Sequence, residues 1–187
     1  MDRKTDYVLS YSHRHPDISA LYKRLDAVNN REVGHTLDTF TKRTALFSGF
    51  EVKPASGDHA EAELQISIWI AASLRKKQEL AQITSTLCEP VMMAEPALTI
   101  VGHEHSIYYA YPRENLVSGR NGAHVLGPDT GRFERLSTDS IRGVFRLLRL
   151  YGNLLKYGTD EREDGYWGGL LRPILDKLAA GRLERLV

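Results

Sequence analysis

The chain has 187 residues, enough for a substantial hydrophobic core, and its 42% hydrophobic and 26% charged content excludes a disordered polypeptide. Its 25 Lys and Arg residues are balanced by 24 Asp and Glu residues, which argues against a protein that holds duplex DNA by its whole surface. Any contact with nucleic acid must therefore come from a local patch. We expect residues 1–187 to form a single domain.

The composition also bears on the compartment. Cys88 is the only cysteine, so an intramolecular disulfide cannot form, and this suits a reducing compartment. Residues 1–6 are charged and do not resemble a secretory signal. The longest apolar stretch, residues 66–74, is far shorter than the roughly 20 residues that cross a bilayer. We expect an intracellular protein, cytoplasmic or nuclear, without a membrane partner, and no pattern indicates its oligomeric state.

Two strands and a helix are predicted in the N-terminal quarter of the chain. Residues 6–11 are rich in β-formers and precede a polar stretch, which predicts a strand. A helix follows, because apolar residues recur at steps of three and four, and either Asp17 or Ser19 is its predicted N-cap. Residues 44–54 form the second predicted strand, which Pro54 ends.

A long helix follows the second strand. Asp58 is its predicted N-cap, Glu61 completes a capping-box variant, and the helix runs to about Ile83. Its apolar residues cover nearly every face, so we expect a buried central helix. Lys76 and Lys77 are expected to mark the point where it emerges from the core.

The C-terminal half is predicted to contain three strands and two helices. The predicted elements are a strand pair at 97–101 and 106–111, a connection at 102–105, a loop at 118–122, a short strand at 124–126, and helical regions at 137–157 and 167–187. The order of strands and helices along the chain predicts a mixed β-sheet flanked by helices, in the α/β (α+β) class.

The first candidate for chemistry is the triplet Glu51-Val52-Lys53. Side chains alternate along a strand, so Glu51 and Lys53 share one face. A carboxylate and an ammonium group side by side at a strand end can hold a divalent cation and orient a water molecule. The spacing alone favours a salt bridge at a surface strand end over a catalytic pair.

Three further segments complete a pattern around this triplet. Asp6 opens the earlier strand in Thr5-Asp6-Tyr7-Val8-Leu9, Gly34-His35-Thr36 lies between the strands, and Gln65 lies on the following helix in Ala62-Glu63-Leu64-Gln65-Ile66-Ser67-Ile68-Trp69. Trp167 adds an aromatic residue near the C-terminal helices. The pattern resembles the fungal branch of the PD-(D/E)XK nuclease-like superfamily over most of the chain, which implies a restriction-endonuclease-like core.

The resemblance implies a role for each of these residues. Asp6 and Glu51 would ligate Mg²⁺ or Mn²⁺, a hard cation that keeps waters for substrate phosphates. Lys53 would stabilise developing charge or orient the attacking water. Gln65 would bind the substrate or a catalytic side chain, and His35 could join the site as an acid or base. The implied activity is that of a metal-dependent phosphodiesterase acting on nucleic acid.

One departure from the family pattern keeps two alternatives open. The superfamily core begins with a helix that can contribute a further acid, whereas this chain opens on the Asp6 strand, so the leading helix is expected to be missing. The first alternative is a metal-free enzyme of a fungal natural-product pathway, in which Glu51, Lys53 and His35 perform acid/base chemistry such as cyclisation or isomerisation on a small molecule. The second is a catalytically inactive interaction module.

Two other patterns are weaker. Arg142, Arg146 and Arg149 lie on one helix face and could contact phosphates, although a solvated helix face is the commoner explanation. The opposite, core-facing stripe is predicted to comprise Val144, Leu148, Tyr151 and Leu155. His103 and His105 could bind Zn²⁺, but no third ligand has a diagnostic spacing, so a polar strand connection is favoured.

Overall fold

The computed structural model describes residues 5–113, 122–128 and 136–181. Within these ranges, five strands form one sheet in the order β1–β2–β3–β4–β5. The strands are β1 (Tyr7–Ser10), β2 (Leu46–Lys53), β3 (Glu95–Val101), β4 (Glu104–Arg113) and β5 (Gly122–Leu126). β2 and β3 are parallel and the other neighbours are antiparallel. The predicted mixed sheet with helices is confirmed.

In the described part of the chain, four α-helices accompany the sheet: α1 (Pro16–Ala27), α2 (His59–Ile83), α3 (Ile141–Gly158) and α4 (Arg172–Ala179). A π-helix (Tyr166–Leu171) leads into α4, and 3₁₀ turns occupy Thr41–Arg43 and Pro90–Met93. α1 begins at Pro16, earlier than the predicted caps Asp17 and Ser19, because proline has the backbone angle of a first helical residue and needs no N–H partner there.

The crossover from β2 to β3 positions the candidate site. Parallel neighbours cannot be joined by a hairpin, and α2 makes the connection. The predicted N-cap is correct, since the Asp58 carboxylate accepts a hydrogen bond of 2.8 Å from the Ala60 N–H. α2 packs across one face of the sheet, with Trp69 over Gly49 of β2.

The burial of α2 differs from the prediction in two respects. Only one side of the helix is buried, and Leu64 on the other side is 57% exposed. Lys77 does not mark an emergence from the core, because it is buried against Glu95 of β3. The Glu95 carboxylate compensates the Lys77 ammonium group for its loss of hydration, so this lysine can be buried.

α3 lies on the opposite face of the sheet, and its predicted core stripe is wrong. Val144, Leu148 and Leu155 are exposed and Tyr151 is half-buried. The buried residues of α3 are Gly143, Leu147, Leu154 and Gly158. A side chain at position 158 would collide with the Phe47 ring, so glycine is what permits the close packing of this helix end.

Two predicted features fall partly outside the described residues. These are the loop at 118–122, of which only Gly122 is described, at the start of β5, and the end of the C-terminal helical region at 182–187. In the part of the chain that the structure describes, no helix is long and apolar enough to cross a membrane.

Two glycines predict opposite effects of the same substitution. A Cβ at Gly49 would lie 2.7 Å from the Trp69 ring, so Gly49→Ala should destabilise the protein by about 1–3 kcal/mol through overpacking. Gly152 of α3 has no neighbouring atom near its Cβ position, so Gly152→Ala should stabilise by about 0.5–1 kcal/mol through helix propensity. Urea unfolding of both variants checks this. Equal effects of the two substitutions would contradict the packing of α2 on β2.

Candidate active site

Glu51 and Lys53 lie at the end of β2, on the sheet face that α2 covers. Glu51 is only 4% exposed, whereas the Lys53 side chain reaches the rim of the sheet. The Lys53 Nζ atom lies 3.2 Å from Glu51 Oε1, so the two ends of the Glu-x-Lys triplet form an ion pair. The alternation of side chains along β2 brings them together, as predicted from their spacing.

Asp6 reaches this strand end from the residue before β1. Its Oδ2 atom accepts a hydrogen bond of 2.8 Å from the Val52 N–H, and its own N–H donates to the Phe50 carbonyl. β1 begins only at Tyr7, so the Asp6 carboxylate takes the place of a ladder carbonyl for β2. The two carboxylates interact electrostatically, since the charge of Asp6 contributes to the raised pKa of Glu51.

Two side chains of α2 complete the cluster, and only Gln65 was predicted to belong to it. Glu61 Oε1 lies 3.4 Å from Lys53 Nζ and accepts a hydrogen bond of 3.1 Å from Gln65 Nε2. Glu61 therefore holds Lys53 and Gln65 rather than serving as a capping-box residue. Its position one turn before Gln65 on the same helix face was the available signal.

The charges of the cluster shift the pKa values of its central pair. Burial raises the pKa of Glu51, and the neighbouring charges of Asp6 and Glu61 add to this, against the attraction of Lys53. For Lys53, desolvation acts to lower the pKa, but the hydrogen bond and charge of Glu51, together with Glu61, outweigh it and raise the pKa. Lys53 is therefore a cation at neutral pH and suits charge stabilisation rather than general-base catalysis.

Unpartnered oxygens give a test of whether a divalent cation fits here. Glu51 Oε2 and Gln65 Oε1 are buried without a hydrogen-bond partner. Buried oxygens of this kind are costly unless a donor or a cation meets them. Across residues 5–113, 122–128 and 136–181, no group of three or more His, Cys, Asp or Glu side chains is arranged to hold a metal ion. Mg²⁺ commonly binds through one or two carboxylates and keeps several waters, so Asp6 and Glu51 are the side chains that could hold it here.

His35 lies in a different environment from the one predicted. Its ring packs edge-on against Trp69 with a centroid distance of 4.7 Å, and Nε2 is buried without a hydrogen-bond partner. Burial lowers the pKa of His35 to about 3, and the charge of Lys77 contributes. The structure thus places His35 against Trp69 and within the influence of the Lys77 charge. Because its pKa is lowered, the His35 ring is neutral at physiological pH.

The lowered pKa of His35 predicts acid sensitivity. Between its ordinary pKa of 6.5 and about 3, the unfolded chain binds a proton at His35 that the folded chain does not. Stability should therefore fall as the pH is lowered through this range. His35→Gln should reduce the difference between urea midpoints at pH 7 and pH 4.5, whereas His13→Gln, at an exposed histidine, should preserve it. An unchanged pH dependence in His35→Gln would contradict the assignment.

A second polar cluster is fully internal and belongs to the core. Glu95 accepts hydrogen bonds from Lys77, from Ser73 at 2.9 Å and from the Tyr166 hydroxyl at 2.6 Å. Burial raises the pKa of Glu95 and lowers that of Lys77, while the attraction within the pair opposes both shifts. Since every one of these groups is enclosed, the cluster has a structural role.

The other candidate groups of the sequence are separated. His103 Nδ1 is 3.1 Å from the Thr138 hydroxyl, and His105 Nδ1 is 2.7 Å from the Tyr151 hydroxyl, so the two histidines have different partners. The connection between β3 and β4 is shorter than predicted and comprises Gly102 and His103. Arg142 and Arg149 are exposed on α3, on the sheet face opposite to Glu51.

The fold and the site define a class of protein. A β1–β2 antiparallel pair, a parallel β2–α2–β3 crossover, and an Asp and Glu-x-Lys set at the end of β2 together form a restriction-endonuclease-like core. The family profile described as the PD-(D/E)XK nuclease superfamily matches residues 1–167, and the chain belongs to this superfamily. No curated protein and no solved structure matches the chain at a significant level.

Proposed function

We propose that the protein is a metal-dependent phosphodiesterase that acts on nucleic acid, with Asp6, Glu51, Lys53 and Gln65 as its working residues. Membership of a nuclease superfamily supports the class of reaction. The observation that carries the proposal is the buried, unpartnered Glu51 Oε2 atom beside the Lys53 ammonium group. A structural salt bridge gives no reason for a buried carboxylate oxygen to lack a hydrogen-bond donor. A cation site does, because the cation takes the place of the donor.

Each residue has a part that follows from its surroundings. Asp6 and Glu51 would hold a Mg²⁺ or Mn²⁺ ion, which when bound supplies Lewis-acid polarisation of the phosphodiester and a more acidic water. Lys53, kept protonated by its two carboxylate neighbours, is suited to stabilise the charge that develops on the phosphate oxygens. The Gln65 amide donates to Glu61, and its free oxygen can accept a hydrogen bond from the attacking water.

The negative charge of the site explains why a metal would be needed. Glu51 and Glu61 both pair with Lys53, and the charge of Asp6 acts on Glu51. Three carboxylates thus accompany one ammonium group, so the cluster without a cation repels a phosphate. The metal-free alternative needs a side chain that exchanges protons near neutral pH. Lys53 has a raised pKa and His35 a pKa of about 3, so of the three residues in this alternative only Glu51, whose pKa is raised by burial, is suited to exchange protons near neutral pH. Assignment to the fungal branch of the superfamily is a proposal that rests on the sequence pattern.

Hydrolysis assays test the proposed function. Single-stranded DNA, duplex DNA and RNA are each incubated with the protein in Mg²⁺, in Mn²⁺ and in EDTA. We expect cleavage of at least one substrate with either metal and none in EDTA. Cleavage that persists in EDTA would reject the metal-dependent mechanism. Absence of cleavage of all three substrates, together with absence of metal binding, would favour the inactive interaction module.

A further inference from the structure

A cleft of about 550 Å³ lies at the other end of α2 from the candidate active site. Its walls come from the segment 29–33 after α1, from the 3₁₀ turn Thr41–Arg43, from the C-terminal part of α2, and from Leu178 of α4. Lys76 follows Gln65 by eleven positions in α2, which corresponds to about 17 Å along the helix axis. The volume is within the range of small-molecule sites.

The basic side chains Lys42, Arg43 and Lys76 line this cleft. Lys42 Nζ lies 2.9 Å from Glu32 Oε1, and the pKa of Glu32 is lowered first by this hydrogen bond and charge, and further by Lys76 and Arg43. Arg43 acts on the same carboxylate through its charge alone. Lys42, Arg43 and Lys76 thus line one cleft from two separate elements, and the Glu32 carboxylate is paired with Lys42 and attracted by the other two.

The exposure of the charged groups indicates which of them can move aside. The side chains of Lys42 and Lys76 are 30% and 20% exposed, whereas their carboxylate partners Glu32 and Glu79 are 68% and 55% exposed. The cations are thus part of the cleft wall and the carboxylates are on its solvent side. An incoming anion could replace the carboxylates of Glu32 and Glu79 while the two lysines stay in place.

The backbone around Lys42 is held in place before any ligand arrives. The Asp38 carboxylate accepts hydrogen bonds from the Thr41 and Phe40 N–H groups, at 2.9 and 3.0 Å, and fixes the 3₁₀ turn. The Lys42 carbonyl accepts a hydrogen bond of 2.8 Å from Gly34 N–H. Ordering the cleft on binding therefore costs little entropy.

Four apolar side chains also line the cleft, beside the polar residues Asn29, Asn30 and Arg31. Val33, Leu80 and Leu178 are buried and Ile83 is half-buried. A bare inorganic anion would leave this surface unused, whereas a phosphate attached to a compact ring would cover it.

We propose that this cleft binds a phosphate monoester carried by a nucleoside-sized group, and that Glu32 occupies the phosphate position when no ligand is present. The phosphate would contact Lys42, Arg43 and Lys76, and the sugar and base would lie on the apolar floor. Such a phosphate belongs to a free nucleotide or to the end of a nucleic-acid strand. The site is separate from Glu51 and does not depend on hydrolysis there.

Calorimetric titration of phosphate ligands in EDTA tests this proposal, because the removal of divalent ions prevents any metal-dependent binding at Glu51. The probes are inorganic phosphate, adenosine monophosphate, adenosine, and a short DNA strand with a 5′-phosphate. We expect adenosine monophosphate to bind more tightly than inorganic phosphate, and adenosine not to bind measurably. Tighter binding of the phosphorylated strand identifies a strand end as the natural ligand, and tighter binding of the monophosphate identifies a free nucleotide. Equal binding of adenosine and its monophosphate would overturn the proposal.

Variants sharpen the test because they change affinity in opposite directions. Arg43→Ala should weaken binding of the monophosphate about fivefold, and Glu32→Gln should tighten it about fivefold, since it removes the competing carboxylate. Arg149→Ala on α3 removes the same charge on the other face of the sheet and should have no effect. The proposal fails if Glu32→Gln leaves the affinity unchanged or weaker, or if Arg149→Ala matches Arg43→Ala.

Discussion

Glu51→Gln should lower metal-dependent hydrolysis by at least about a hundredfold while leaving the protein at least as stable as the wild type. The substitution removes a charged cation ligand and keeps the size of the side chain. Burial raises the pKa of Glu51 above its ordinary value of 4.5, so the ionised carboxylate destabilises the folded protein when no metal is present. The neutral amide avoids this cost, and the stability gain should grow as the pH rises through the pKa of Glu51.

Activity and urea unfolding of the same preparation separate the two effects. Glu63→Gln is a matched control, because Glu63 is an exposed acid of α2 and should retain full activity when replaced. An active Glu51→Gln enzyme would remove Glu51 from the mechanism. A variant that is inactive because it is unfolded would contradict the predicted gain in stability.

The second large effect concerns the internal cluster around Glu95. Lys77→Met should destabilise the protein by about 3–5 kcal/mol, because it leaves the Glu95 carboxylate buried without its cation. The hydrogen bonds from Ser73 and Tyr166 remain but do not neutralise the charge. The double variant Lys77→Met, Glu95→Met removes both charges and should recover most of the loss.

Urea unfolding of the two single variants and the double variant gives the coupling within the pair. Losses below about 1 kcal/mol for Lys77→Met would show that Glu95 is neutral in the folded protein or reaches water. An additive double variant would lead to the same conclusion. The experiment thus determines whether the cluster is a true ion pair.

Local patterns were sufficient to predict much of the fold and part of the site. The β2 strand was recognisable from its β-formers and from Pro54, and α2 from its Asp58 cap and apolar length. Glu51 and Lys53 were predictable as neighbours because strand alternation alone places them on one face. These features depend on residues that are close in the sequence.

Features that depend on distant partners were not predictable. Lys77 was expected to emerge into solvent, and nothing near it in sequence indicates Glu95, eighteen residues away on β3. Glu61 was assigned to the helix cap because its contact with Lys53 requires the turn between β2 and α2 to fold back. The position of His35 beside Trp69 likewise depends on the course of a loop.

The prediction of which apolar stripe of α3 is buried was wrong for a related reason. The helix carries one stripe with Val144 and Leu148 and another with Leu147 and Leu154, and periodicity fits either. Packing selects the second stripe, on whose side Gly158 lies against the Phe47 ring and Gly143 against the Ser137 carbonyl, two positions where a side chain would collide. Small residues, which periodicity disregards, decided which face is buried.

Calorimetric titration of Mg²⁺ into the protein tests the central claim most directly, because metal binding by Asp6 and Glu51 precedes any chemistry. The wild type should bind the ion at millimolar or lower concentration, and Asp6→Asn should weaken the binding, since it removes one of two carboxylate ligands. Glu63→Gln should bind like the wild type. Absence of measurable binding to the wild type at millimolar Mg²⁺, or equal binding by Asp6→Asn, would contradict the proposed site.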